Sequence, residues 1–222
     1  MTVYLYLHGF ASSPASAKAQ YFQRCFEALH LPLIIPDLNQ PSFFELSLTR
    51  QIQQVQRLLS EIVNDSDSFV TIIGSSFGGL TAAWLGEKMP RVQQLVLLAP
   101  AFQFWQHWQP RLGEQLQRWQ SEQSLPVYHY GAKQMLPLSY SFVTDLVQYD
   151  DIMLQRPVPT LILHGREDDV IPIRASRDYA ASRHWVKLIE LESDHALTDV
   201  QAEIWQAMQE FCQLRGYTNF GF

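Results

Sequence analysis

Along the chain, short apolar runs alternate with longer stretches in which apolar residues recur every three or four positions. The runs at 2–7, 33–36, 69–73, 94–98, 160–163 and 186–191 are too short for helices and read as buried strands. Between them, Ala15, Ala19, Phe22, Phe26 and Leu29 keep helical spacing behind Ser13-Pro14, which reads as an N-cap and first-turn pair. Leu48, Ile52, Val55, Leu59 and Ile62 form a second stripe, preceded by Ser42 and Glu45 at the spacing of a capping box. A further helix opens at Phe77 and stops before Pro90, and another covers about 173–182. Apolar strands each followed by a helix imply an α/β fold: a six-stranded, mostly parallel sheet with helices on both faces.

The alternation fails once. About sixty residues separate Leu98 from Thr160, where a single crossover helix would suffice, and long insertions of this kind are usually lids or caps. A helical cap over about 101–156 is therefore expected, within a single domain spanning 1–222. A helix broken around Pro110 would carry Trp105, Trp108, Leu112, Leu116 and Trp119 on one face. A hairpin is predicted to turn at Gly131-Ala132-Lys133, and a helix over about 141–149 leads back to the sheet. Trp105 and Trp108 are candidates for lining an apolar substrate pocket. The plainer reading is that such aromatics pin the cap to the sheet.

The strand at 69–73 runs through Gly74-Ser75-Ser76-Phe77-Gly78 directly into a helix. Small residues on either side of a serine let the backbone bend sharply, so that the hydroxyl stands free above the sheet. A Gly-x-Ser-x-Gly match arises by chance in about 8 of every 100 chains of this length, so context and partners must carry the argument. Serine is a poor nucleophile without a general base and a third group to orient that base. Asp168 lies just past one strand and His195 just past the next. Strand ends on one edge of a parallel sheet converge, so Ser76, Asp168 and His195 can meet there. Among their neighbours, Ser75 lacks a glycine two positions before it, and Asp169 reads as a solvated or loop-capping carboxylate. Asp194 reads as a residue that holds its loop through backbone NH groups; His8 and His164 read as structural. His30, His107, His129 and His184 show no metal spacing, and no phosphate loop or dinucleotide fingerprint is present, so neither metal nor cofactor is expected.

The order Ser76, Asp168, His195 resembles that of the α/β-hydrolase superfamily. The resemblance extends over nearly the whole chain, through Leu7-His8-Gly9-Phe10, Gly74 to Gly79, His164 to Pro172 and Ser193 to His195. Within the superfamily the chain is similar to compact bacterial esterases. It is also similar to the acyl-protein thioesterase and acyl-glucuronide esterase branch, through Ser193-Asp194-His195 and Tyr140-Ser141-Phe142. The family pattern His-Gly-x-x-Asp-x-x-Val-Pro puts its acid at Asp168, with Ile171 in place of the usual valine. The resemblance implies an α/β-hydrolase fold, a Ser76-His195-Asp168 triad and an oxyanion hole made by the backbone NH groups of Phe10 and Phe77. It further implies hydrolysis of a carboxylic ester or thioester through an acyl-enzyme. The same frame serves carbon-carbon hydrolases and lyases, and a catalytically silent binding scaffold is the alternative of a different class.

Composition narrows the partners. With 47% apolar and 17% charged residues in 222, the chain can bury a sizeable core. Its net charge of -6 comes with no basic run, which argues against nucleic acid and against a polybasic route to anionic membranes. A small-molecule acyl substrate is the expected partner. Met1 stands almost at the first strand and no apolar stretch is long enough to span a bilayer, so the expected location is cytoplasmic. Cys25 and Cys212 read as buried thiols of a reducing compartment.

Overall fold

The computed structural model describes residues 2–63 and 68–214. Among them, six parallel strands form one sheet in the order β2-β1-β3-β4-β7-β8. The strands are β1 Thr2–Leu7, β2 Leu33–Ile34, β3 Phe69–Ser75, β4 Val92–Leu98, β7 Thr160–Gly165 and β8 Val186–Leu191. Successive side chains on a strand point to opposite faces, and the apolar runs are continuous because both faces are covered. Leu5, Ile72, Leu95, Leu97 and Ile162 join a core with α2 (Leu48–Ile62), α3 (Phe77–Lys88) and α7 (Ile173–Ala181). Tyr6, Ile73, Val96, Leu98, Leu161 and Leu163 join a second core with α1 (Ala17–Ala28) and α8 (Gln201–Cys212). On α1, Phe22 and Phe26 are fully buried, worth about 1.5–3 kcal/mol each.

Several boundaries differ from those the pattern predicts, each for a local reason. The N-cap of α1 is Ser16, whose hydroxyl accepts the Ala19 NH; the Ser13-Pro14 segment makes a preceding turn, in which the Ser16 NH donates to the Ser13 carbonyl. Ser42 caps only the 3-10 turn Phe43–Glu45, and Ser47 caps α2 by accepting the Arg50 NH. β2 pairs at just two positions, Leu33 and Ile34, and Pro36, without an NH, cannot extend the ladder. Cys25 and Cys212 are free and half-buried rather than buried, on α1 and α8, which pack on the same face. No helix among the described residues is long and apolar enough to cross a membrane.

The segment between β4 and β7 contains α4 (Phe104–Leu112), α5 (Glu114–Glu122), the antiparallel pair β5 (Ser124–His129) and β6 (Gln134–Ser139), and α6 (Ser141–Leu146). It is thus a mixed insertion rather than a purely helical one. The helix break predicted near Pro110 falls at Gly113, whose φ of +51° is in the left-handed region that favours glycine. Pro110 remains inside α4. The hairpin turns where expected, with Lys133 at φ +54°. Helix α6 is shorter than predicted and gives way to a hydrogen-bonded turn that ends at Tyr149.

One contact braces the insertion internally and two groups of contacts seat it on the rest of the chain. Trp119 is fully buried and its indole NH donates to the Leu138 carbonyl at 2.9 Å. Asp145 accepts the Thr49 NH at 3.0 Å, and the Tyr149 and Thr49 hydroxyls share a 2.6 Å hydrogen bond. Arg156 donates to the carbonyls of Gly86, Met89, Pro90 and Val92, which ties the return segment to the last turn of α3.

Candidate active site

The site is built on a turn that only particular residues allow. Ser76 has φ +53° and ψ -118°, a strained conformation for a residue with a side chain. It is over-determined by its surroundings: the Ser76 NH donates to Leu98 at 2.8 Å, while its carbonyl accepts from Gly79, Leu80 and Ala101. A Cβ on Gly74 would stand 2.4 Å from the Gly78 carbonyl oxygen, and one on Gly78 would stand 2.2 Å from that of Leu7. Both glycines are therefore required by close backbone approach. Because β1 pairs with β2 on one side and β3 on the other, the connections diverge at β1, and the crevice at such a switch point lies beside Ser76.

Two further loops are held together at the ends of β7 and β8. The Arg166 NH donates to the Leu191 carbonyl at 2.8 Å and the Glu167 NH to that of Ser193 at 3.1 Å. Gly165 permits this contact, since a Cβ there would lie 2.2 Å from the Ser193 carbonyl oxygen. The Ser193 hydroxyl in turn donates to Asp199, and Asp194 accepts the backbone NH groups of Ala196 and Leu197.

This framework brings Ser76, His195 and Asp168 into one hydrogen-bonded chain. Ser76 Oγ lies 3.0 Å from His195 Nε2, and His195 Nδ1 lies 2.7 Å from Asp168 Oδ2. The carboxylate can only accept, so Nδ1 carries the proton and Nε2 faces the serine hydroxyl as an acceptor. Asp168 is buried, and burial by itself pushes its pKa up. Hydrogen bonds from His164, His195 and the Ile171 NH outweigh that and hold the carboxyl well below the usual range. Its Oδ1 accepts from the NH groups of Val170 and Ile171 at 2.9 and 2.8 Å. Asp169 is exposed, and its backbone carbonyl accepts from Arg111.

His164 and His8 are structural in a specific sense. His164 Nε2 lies 3.0 Å from Asp168 Oδ2 and 2.9 Å from the Ile171 carbonyl, both acceptors, so that nitrogen is protonated. Its Nδ1 then accepts from the Ser176 hydroxyl at 2.7 Å. His164, at the end of β7, thus positions the carboxylate, a role that the sequence alone did not disclose. His8 is buried; Nε2 accepts the Leu38 NH at 3.0 Å and Nδ1 donates to the Gly9 carbonyl at 3.0 Å. It orders the loop that contains Phe10. A Cβ on Gly9 would be 3.4 Å from Ser76 Cβ, so this loop abuts the turn. The rings of Phe10 and Phe77 touch, with centroids 6.1 Å apart, and among the described residues neither backbone NH has a protein acceptor.

Lys18 went unnoticed in the sequence, where a lysine in an amphipathic helix looks like a solvated one. It is half-buried in the first turn of α1, without a hydrogen-bond or ion-pair partner among the described residues. Burial pushes its ammonium down to about 8 against the opposing pull of Asp168 and Asp194. The tryptophans proposed for the pocket divide. Trp108 packs against Phe10, Phe104, Trp119 and Phe142. Trp105 lines a cavity that Ser76, Asp168 and His195 do not reach. No cluster of three or more potential metal ligands occurs among the described residues.

Solved structures with this arrangement of chain are numerous at low sequence identity. Alpha/beta hydrolase domain-containing protein 10 from mouse aligns with a TM-score of 0.76 at 18% identity, covering 95% of this chain and 89% of that one. Est1E from Butyrivibrio proteoclasticus, with ferulic acid bound, aligns at 0.78 and 15% identity over 96% of this chain and 88% of its own. A monoacylglycerol lipase from Paleococcus ferrophilus aligns at 0.71 and 16% identity, covering 94% and 93%. The fold is that of the α/β-hydrolases. The model of the uncharacterised protein family UPF0227 matches residues 3–212. With nearly its whole length matched, the chain belongs to the UPF0227 family.

Proposed function

We propose that this protein is a serine hydrolase that cleaves a carboxylic ester or thioester of a small molecule. The observation that carries the reading is the 3.0 Å and 2.7 Å hydrogen-bonded chain from Ser76 through His195 to Asp168, mounted on a strained turn. Ser76 attacks the acyl carbonyl while His195 Nε2 takes its proton; Asp168 holds the tautomer and stabilises the imidazolium. Charge developing on the carbonyl oxygen is met by the Phe10 and Phe77 NH groups, each worth about 3 to 4 kcal/mol in comparable sites. His195 then returns the proton to the leaving group, and water activated by the same imidazole releases the acid from the acyl-serine. The hydrolase and lipase names of the similar structures support this reaction class.

The test is labelling by a fluorophosphonate probe, together with turnover of p-nitrophenyl esters from acetate to palmitate beside acyl-CoA thioesters. Ser76→Ala should abolish labelling and lower kcat by on the order of a million-fold with the circular dichroism spectrum unchanged. A folded Ser76→Ala variant that still turns over its ester at the wild-type rate would refute the mechanism.

A further inference from the structure

A cavity of about 640 Å3 lies between the start of α4, the end of α6, the 3-10 turn Asp151–Met153 and α7. That volume is within the roughly 300–1,000 Å3 of small-molecule sites. Its lining has two characters. Phe102 and Tyr179 stack at 4.0 Å and 14°, and Trp105 and Tyr149 add further aromatic surface. The charged side chains are three carboxylates, Asp150, Asp151 and Asp178, and one arginine, Arg183.

The arginine is already committed. Its Nε donates to the Leu154 carbonyl at 2.9 Å, Nη1 to that of Tyr179 at 2.8 Å and Nη2 to that of Asp151 at 3.3 Å, while its flat face lies 4.2 Å from the Tyr179 ring centre. A guanidinium engaged in this way has little donor capacity left for an anion. Two of the acids are engaged as well: Asp150 accepts the Ile152 NH, and Asp178 pairs with Arg174 at 3.4 Å. Each has one oxygen engaged and is exposed, whereas Asp151 is set apart by being half-buried. Its Oδ2 accepts the Gln103 NH at 2.7 Å, and among the described residues its Oδ1 has no partner. That oxygen is not sealed off, so it stays open to a donor that enters the cavity.

An ammonium group answers both walls at once, since it donates to a carboxylate and is attracted by aromatic faces. We propose that this cavity is a second ligand site, separate from Ser76, which takes an organic amine with its ammonium on Asp151 and its apolar body against Phe102, Trp105 and Tyr179. Burial pushes Asp151 up to about 6, opposed by the Gln103 NH, reinforced by Asp150 and relieved in part by Arg183. Tyr179 and Asp178 on α7 and Tyr149 after α6 are the other ionisable groups around it, and Glu87 on α3 is in range of Tyr179. A bound cation favours the ionised carboxylate, so affinity should hold above pH 6 and fall about tenfold per unit below it.

The experiment is isothermal titration of the full chain with phenethylamine as the probe, phenylacetate as its anionic counterpart and 2-phenylethanol as its neutral one. Phenethylamine should bind, and the other two should bind at least tenfold more weakly. Asp151→Asn keeps an acceptor for the Gln103 NH, so the variant should fold, and it should weaken the amine at least tenfold while leaving 2-phenylethanol unchanged. Trp105→Leu, in the aromatic lining, should weaken the amine and the alcohol together. The proposal is overturned if phenethylamine does not bind, if phenylacetate binds as well as it does, or if Asp151→Asn leaves its affinity unchanged. None of these outcomes depends on the chemistry at Ser76.

Discussion

Asp168 accepts hydrogen bonds from Val170, Ile171, His164 and His195, whereas the adjacent Asp169 carboxylate lies in solvent. The two acids should therefore respond very differently to the same change. Under the proposed mechanism Asp168→Asn lowers kcat by about ten-thousand-fold, because the amide favours the wrong imidazole tautomer. Asp169→Asn should cost little. Steady-state kinetics on both variants decide this, and a larger loss at Asp169 would reverse the assignment. Lys18 makes a prediction about stability. Its folded pKa of about 8 is below that of an unfolded lysine, about 10.4. Between those values the unfolded chain holds a proton that the folded one has lost, so stability rises with pH there. Below pH 8 the half-buried charge is a net cost, and Lys18→Met should raise Tm by a few degrees at pH 7. The gain should shrink above pH 10; thermal melts across that range that show no gain at pH 7 would remove the burial argument.

At the scale of elements, the insertion between β4 and β7 is seated on the sheet domain through aromatic contacts. Phe10, Phe77, Phe104, Trp108 and Phe142 touch one another over the turn that holds Ser76. Trp108 is therefore part of this packing. If its ring bounds the space for the acyl group, Trp108→Ala should shift preference toward longer esters, since each added methylene in an apolar pocket is worth about 0.8 kcal/mol, a few-fold in kcat/KM. If it serves packing alone, the variant should lose several kcal/mol of stability and fall in activity on every ester alike. Measuring kcat/KM for acetate and octanoate esters beside Tm separates the two outcomes.

At the scale of the whole molecule, buried Asp168 and half-buried Asp151 oppose each other in their effect on pH stability. Asp168, held low, contributes stability above the unfolded value of about 3.9 that is lost as pH falls through its folded value. Asp151, raised to about 6, works the other way: its contribution is present below about 3.9 and lost as pH rises through 6. Asp151→Asn should thus be more stable than the native chain at pH 8, by on the order of 1–2 kcal/mol after allowance for partial screening. It should show no such gain at pH 4. Urea melts at the two pH values measure the difference, and an equal effect at both would contradict the burial of an ionised Asp151.

The apolar runs, the helical stripes and the residues that follow the strands determined the α/β class, the six parallel strands and the convergence of Ser76, Asp168 and His195 on one sheet edge, because these follow from local properties. Period separates strand from helix, and a residue just past a parallel strand must lie on one edge of the sheet. Gly74 and Gly78 likewise signalled close backbone approach that the packing makes explicit. What only the tertiary structure decided depends on residues distant in sequence. Whether Ser13 or Ser16 caps α1 is settled by a turn, and whether Pro110 or Gly113 breaks the insertion helix is settled by where the chain must reverse. The positioning role of His164 exists only because β7 and the loop after it fold back within reach of Ser176 and His195. The cavity at Asp151 arises because α3, α4, α6 and α7, drawn from four separate stretches of chain, leave a space that no local pattern encodes.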